Sequence, residues 1–149
     1  AADGRIAACW RALPGTGPYM LPHTFPALPA GEAAPRRADV WELSRFAVQP
    51  PSGHDQKAQA TSSALTLQML RAGYLFGVDN GISEYVTVAS VAMERLLRQI
   101  GLPMTRFGDR KARRVGRVLS VAVHIPIGEE LRAALFDSKR AVEAARQVA

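Results

Sequence analysis

Hydrophobic and polar positions alternate, cluster and break along the chain in a way that predicts interleaved strands and helices. Arg5 to Leu13 reads as a buried strand, closed by Pro14-Gly15-Thr16-Gly17-Pro18, where glycine supplies positive φ and proline blocks further pairing. Tyr19 to Leu28 reads as a short helical stretch broken by prolines, and Pro29 to Asp39 as a polar loop. Val40 to Val48 (VWELSRFAV) has the β-branched and aromatic content of a second strand, ended by Pro50-Pro51-Ser52-Gly53. A helix is predicted from an N-cap at Thr61 or Ser62 to a stop near Gly77, with Leu67, Leu70 and Tyr74 on one stripe.

Beyond the Asn80-Gly81 turn, Glu84 to Ala89 reads as a third strand. Val91 to Ile100 reads as a helix, with Met93, Leu96, Leu97 and Ile100 on one face, Glu94 and Arg98 paired on the solvent side, and Gly101 as its close. Met104 to Phe107 is a candidate edge strand, Val115 to Ile127 the longest apolar strand, and a helix from Glu129 places Leu131, Leu135 and Val142 together. The alternation predicts one α/β domain over residues 1–149: a single sheet with helices on its faces.

Composition narrows the function. A hydrophobic content of 48% supports a real core, and a formal charge of +6 favours acidic partners. The lone Cys9, among Ala7, Ala8 and Trp10, reads as a small core side chain in an intracellular protein. There is neither an eighteen-residue apolar run nor a signal-peptide pattern, so no membrane span is expected. His23, His54 and His124 are scattered and no Cys pair exists, which argues against a metal site. Gly15-Thr16-Gly17 is only a fragment of a phosphate loop, because Met20 stands where a third glycine is needed. The basic cluster of Arg106, Arg110, Lys111, Arg113, Arg114 and Arg117 lacks the interleaved aromatics of a base-stacking surface, so nucleic acid is not the expected partner.

Three ionisable residues sit inside predicted core strands: Arg11, Glu42 and Arg45. Strand alternation puts Glu42 on a face with Val40, Ser44 and Phe46, and Arg45 on the other with Trp41 and Leu43. For both to serve one pocket, the strand must bulge near Leu43-Ser44. A structural salt bridge is the competing explanation. Three buried charges exceed what a fold needs, which favours a polar active cleft.

Cys9 to Leu28 (CWRALPGTGPYMLPHTFPAL), VWELSRFAV and Tyr85 to Gly101 (YVTVASVAMERLLRQIG) together resemble the acyl-homoserine-lactone synthases, the autoinducer synthases of bacterial quorum sensing. The resemblance implies a mixed, largely antiparallel sheet flanked by helices, similar to the GNAT-type acyltransferases. It also implies a cytoplasmic reaction between S-adenosylmethionine, as substrate, and an acyl chain on acyl carrier protein, with no prosthetic group. Position by position, it implies catalytic roles for Glu42 as proton acceptor and for Arg45 and Arg11. Phe25, Ser44 and Phe46 would contact S-adenosylmethionine; Leu67, Leu70, Thr87 and Leu97 would line the acyl chain, with core packing an equal alternative for the leucines. Carrier-protein docking would fall to Arg95, Arg98, Arg110 and Lys111, although Gln99 stands where relatives often carry a second basic residue.

The family's N-terminal segment, which bears an arginine, a phenylalanine, a tryptophan and two aspartates and folds over S-adenosylmethionine, does not precede Ala1. The 149 residues are either a core fragment or a chain from which that segment has been left out. Two other readings remain. A coenzyme-A-dependent N-acyltransferase needs an Arg/Gln-x-x-Gly-x-Gly/Ala loop, which Arg113 to Val118 begins but does not finish, and a basic binding module lacks the aromatics it would need.

Overall fold

Apolar β-branched runs bounded by glycine and proline build the sheet that a computed structural model shows. It describes Gly4 and residues 6–49 and 56–137, with backbone alone over 56–63. The strands are β1 (Ala8–Pro14), β2 (Val40–Val48), β3 (Glu84–Ser90), β4 (Thr105–Arg106), β5 (Arg113–Val115) and β6 (Val118–Pro126). They lie in the order β1-β2-β3-β6-β4, with β5 also on β6. Among the described residues only β2 and β3 run parallel; the other pairs are antiparallel, so the sheet is mixed and largely antiparallel as expected.

Helices cover both faces. On one, α2 (Gln56–Asp79), α3 (Val91–Ile100), α4 (Glu129–Arg132) and a π-turn (Ala133–Asp137) enclose Leu67, Tyr85, Leu97, Val121, Val123 and Leu135. On the other, α1 (Met20–Thr24) and the loop after it cover Tyr19, Leu21, Val40, Val86, Phe107 and Ala122. That loop is tied down by Glu32, which accepts a bond of 2.6 Å from the Gly108 amide and meets His124 Nε2 at 2.9 Å. The Gly108 amide is the main reason the Glu32 carboxyl titrates below its ordinary range. His124 also bonds Glu84 through Nδ1 and stacks on Phe107, so it is a satisfied strand histidine.

Gly108 has φ 51°, and a Cβ there would stand 2.0 Å from the Pro29 carbonyl oxygen. Gly108→Ala should therefore lower stability by at least ~2 kcal/mol in a denaturant melt. Gly116→Ala, at φ 58° with open space around the site, should suffer only the smaller backbone strain.

Several expectations need correction. The first strand begins at Ala8 rather than Arg5, which lies outside the described residues. Cys9 is exposed, not core, because Trp10 takes the inward position on this edge strand. The helical stretch Tyr19 to Leu28 shortens to five residues. Helix α2 runs through both proposed caps and past Gly77, so neither Thr61 nor Ser62 starts it. Gly77 serves close packing instead, since a Cβ would meet Ile127 Cδ1 at 2.4 Å.

The edge strand Met104 to Phe107 reduces to two residues. Val115 to Ile127 is not one strand: β5 and β6 form a hairpin that turns at Gly116. The last helix gives way to a π-turn after Arg132, and Val142 lies outside the described residues. Most instructive is Glu94. It is 3% exposed rather than solvent-facing, because Arg106 on β4, as well as Arg98, binds its carboxylate, at 2.6 and 3.0 Å.

Candidate active site

The parallel strands β2 and β3 pair only from Val40 with Glu84 to Leu43 with Thr87. Beyond that point β2 continues to Val48 against β1 alone, and β3 continues to Ser90 against β6 alone. The sheet thus opens into a cleft with Ser44, Arg45 and Phe46 on one lip and Val88, Ala89 and Ser90 on the other. These lips bound a chamber of about 330 Å³. Its size falls within the ordinary range for small-molecule sites.

A bulge shapes the first lip. Cys9 pairs with Ala47 and Arg11 with Ser44, so Arg45 and Phe46 together oppose Trp10. Arg45 adopts φ 56°, a left-handed conformation rare for a residue with a Cβ. The expected bulge therefore exists, one to two residues after Leu43-Ser44. Arg45 is exposed at the chamber rim, and its guanidinium makes no hydrogen bond or ion pair among the described residues.

On the opposite lip, Ser90 ends β3 and caps α3 without an intervening loop, its hydroxyl accepting from the Met93 amide at 3.1 Å. Gly101, at φ 95°, closes the same helix. Thr87, Leu70, Met93 and Leu97 extend the chamber inward beneath α2 and α3.

Behind the first lip, toward α1, lies a polar group that does not itself line the chamber. Glu42 is 1% exposed and accepts hydrogen bonds from the Met20 and Leu21 amides at 3.1 and 2.8 Å. Those donors are the free N–H groups at the start of α1, which favour a negative charge. Arg11 donates through Nε to Ser44 Oγ at 3.1 Å and through Nη2 to Met20 Sδ at 3.1 Å. Ser44 thereby joins this polar group to the chamber, which it lines. Tyr19, beside this group, donates to the Pro35 carbonyl at 2.5 Å. Burial, reinforced by the Glu42 charge, raises its phenol pKa and keeps it protonated.

A family model described as "Autoinducer synthase" matches residues 1–135. The chain belongs to the autoinducer synthase family. Among curated relatives, the acyl-homoserine-lactone synthase of Aliivibrio fischeri strain ES114 is 42% identical over 130 residues, 87% of this chain and 66% of that protein. The one from Pseudomonas aeruginosa is 38% identical over 134 residues, 90% of this chain and 64% of that protein. The crystal structure of the AHL synthase LasI superposes with a TM-score of 0.80 at 38% identity, over 91% of this chain and 66% of that one. TofI, solved in a ternary complex with an inhibitor and MTA, gives 0.73 at 35% identity, over 95% of this chain and 68% of that one. This autoinducer-synthase chain thus spans about two thirds of the length of the relatives it matches.

The fold brings together part of the expected site. Ser44, Arg45, Phe46, Leu70, Thr87 and Leu97 all face the chamber. Glu42 and Arg11 lie behind Ser44, toward α1, and the carboxylate makes no hydrogen bond to Arg11 or Arg45: its partners are backbone amides. Leu67 is buried in the core and is not part of the chamber wall. Phe25 packs with Tyr19, Leu21 and Leu28 under α1. Arg95 and Arg98 rim a separate open concavity on α3, whereas Arg110 and Lys111 are exposed on the turn beyond Phe107.

Trp10, Leu43, Ser90, Met93, Leu102 and Ile125 also line the chamber, and sequence reasoning did not single them out. A usable signal existed for two of them. Ser90 stands between a β-branched run and an amphipathic helix, the position of an N-cap, and Trp10 directly precedes Arg11.

Proposed function

We propose that the whole protein is an acyl-homoserine-lactone synthase, using S-adenosylmethionine as the amine and an acyl chain on acyl carrier protein as the donor. The observation that carries this reading is the cleft where β2 and β3 part, with Arg11, Ser44 and Glu42 toward α1 and an apolar chamber toward α2 and α3. The division suits a polar, cationic nucleoside on one side and a hydrocarbon chain on the other. TofI, a relative that binds MTA, supports the same assignment.

In the first step the amine nitrogen attacks the thioester carbonyl, the carrier thiolate leaves, and the amine gives up a proton. Glu42 is the proton acceptor, through a water if need be: each carboxylate oxygen already accepts one amide N–H and retains a lone pair for a second donor. Arg45, exposed at the rim, clamps the substrate carboxylate, and Arg11 holds Ser44 and the start of α1 in place. In the second step that carboxylate attacks its own side chain, breaking the carbon–sulfonium bond and releasing methylthioadenosine with the lactone. Phe25, Ser44 and Phe46 are assigned to S-adenosylmethionine, and Leu70, Thr87 and Leu97 to the acyl chain. Leu67 would act only from the core behind them.

Acyl carrier proteins are acidic, and Arg95, Arg110 and Lys111 make no salt bridge among the described residues, while Arg98 is held by Glu94. Together with the +6 charge this suits an acidic carrier protein as the donor. All described residues act as one domain, and none of their helices is long and apolar enough to cross a membrane. With both substrates made inside the cell, the reaction is assigned to the cytoplasm.

The test is lactone formation by the full-length gene product, read by mass spectrometry with acyl carrier protein and coenzyme A donors compared. Lactone with the carrier-bound donor, suppressed by high salt, is expected. Absence of lactone with every donor would refute the reading, and a preference for coenzyme A would refute the donor assignment.

A further inference from the structure

The half-buried Trp10 lines two voids at once. One is the 330 Å³ chamber; the other, of about 30 Å³, extends toward Gly73, Tyr74 and Leu135. Leu43, Leu70, Leu102 and Ile125 also face both spaces, so the two are neighbours sharing an apolar wall.

The indole lies flush against α2 at a glycine. A Cβ on Gly73 would fall 1.5 Å from Trp10 Cη2 and within 2.5 Å of Cζ3 and Cζ2, so no other residue fits there while the ring keeps its place. Tyr85 completes the seat. Its ring centroid is 6.4 Å from that of the indole, and its hydroxyl donates to the Gly73 carbonyl at 2.9 Å. Burial pushes the Tyr85 phenol up to about 12, so it stays a donor throughout the neutral range.

A glycine in the middle of a long helix weakens that helix by about 0.5–1 kcal/mol relative to alanine. Ring contact explains why glycine is nevertheless suited to this position. It also means that the depth of the chamber depends on how closely the indole can approach α2.

We propose that Trp10, seated on Gly73 and Tyr85, is the gauge of acyl length: the chamber ends on the indole, and carbons beyond it must displace the ring into the smaller void. This deepens the acyl-transfer reading and rests on it for the identity of the ligand. Trp10 touches the chain, so it is a specificity residue, whereas Gly73 acts through Trp10 and is a positioning residue.

Opposite substitutions should have opposite effects. Trp10→Leu joins the two voids and should move the preferred acyl chain to greater length. Gly73→Ala pushes the indole into the chamber and should move it to shorter length, even though alanine favours the helix. Each methylene newly accommodated or excluded is expected to change affinity roughly fourfold, the equivalent of about 0.8 kcal/mol.

The experiment measures binding of N-acyl-homoserine lactones, in an even-numbered series from four to fourteen carbons, to the full-length protein and its variants by calorimetry. Lactone products are profiled in parallel by mass spectrometry. Trp10→Phe serves as the milder enlargement if Trp10→Leu does not fold, and the double variant Trp10→Leu/Gly73→Ala should lose the shortening seen with Gly73→Ala alone. An unchanged length optimum in all variants, or shifts in the same direction for Trp10→Leu and Gly73→Ala, would overturn the gauge. Length-dependent binding by a protein that makes no lactone would overturn the synthase reading while leaving the gauge to be decided by the binding optimum.

Discussion

Glu42→Gln should lower turnover at least roughly 100-fold, the lower end of what a positioned proton acceptor contributes, while leaving KM for the acyl donor nearly unchanged. The same substitution has a structural effect that must be separated from it. Glu42 satisfies the amides of Met20 and Leu21, and a glutamine can offer its oxygen to only one of them, turning an N–H donor toward the other. Leaving one buried donor unpaired should cost about 1–3 kcal/mol in a denaturant melt. Activity is therefore to be measured well below the variant's melting temperature. If lost turnover merely tracks the unfolded fraction, Glu42 is the anchor of α1 and not the proton acceptor.

The second large effect is expected at Glu94, which does not line the chamber. Its carboxylate takes bonds from Arg106 Nε and Nη2 at 2.9 and 2.6 Å and from Arg98 Nε and Nη2 at 3.1 and 3.0 Å, joining α3 to β4. Removing one partner of a buried pair strands the others, but the arginine side chains are 28% and 46% exposed and water can take over part of their solvation. Glu94→Gln should thus lower stability by about 2 kcal/mol near neutral pH, or roughly 4–8 °C in Tm.

The pH dependence has a definite sign. Hydrogen bonding from Arg106 is the first cause holding the Glu94 carboxyl below its ordinary value of 4.5 in the folded protein. Its contribution is complete above that unfolded value and disappears as pH falls through the lower folded one. The gap between wild type and Glu94→Gln should close over this acidic window. A gap that persists unchanged to the bottom of the window would show that lost packing, rather than lost charge, destabilises the variant.

Glu94 also shows where a linear pattern stops informing. An i, i+4 pair with Arg98 reads as a solvated surface pair, and only the placement of Arg106, twelve residues on, reveals that the carboxylate is enclosed. By contrast, Val40–Val48 and Val91–Ile100 were legible to the residue. Each is a run of one period between strong stops: prolines after β2, and the Ser90 cap and left-handed Gly101 around α3.

The β5–β6 hairpin was obscured because valines flank Gly116-Arg117 on both sides, although a two-residue turn led by glycine is itself a hairpin signal. Cys9 was misplaced because neighbouring alanines say nothing about which face of an edge strand is covered. For the candidate site, chemistry was more legible than geometry. Of the carboxylate and two guanidiniums in core strands only Arg45 reaches the chamber; strand pairing decided where it opens, and the left-handed Arg45 placed the bulge beyond Ser44. That Glu42 binds backbone amides rather than an arginine was invisible, because those donors belong to a segment 21 and 22 residues upstream.

Amide chemical-shift mapping of the full-length protein, titrated first with methylthioadenosine and then with an acyl-homoserine lactone, tests the cleft most directly. Perturbations should concentrate on both lips, at Ser44, Arg45 and Phe46 and at Val88, Ala89 and Ser90, with Met20 and Leu21 responding to the nucleoside and Leu70 and Leu97 to the acyl chain. Saturable binding of both ligands that leaves the two lips unshifted would contradict the account.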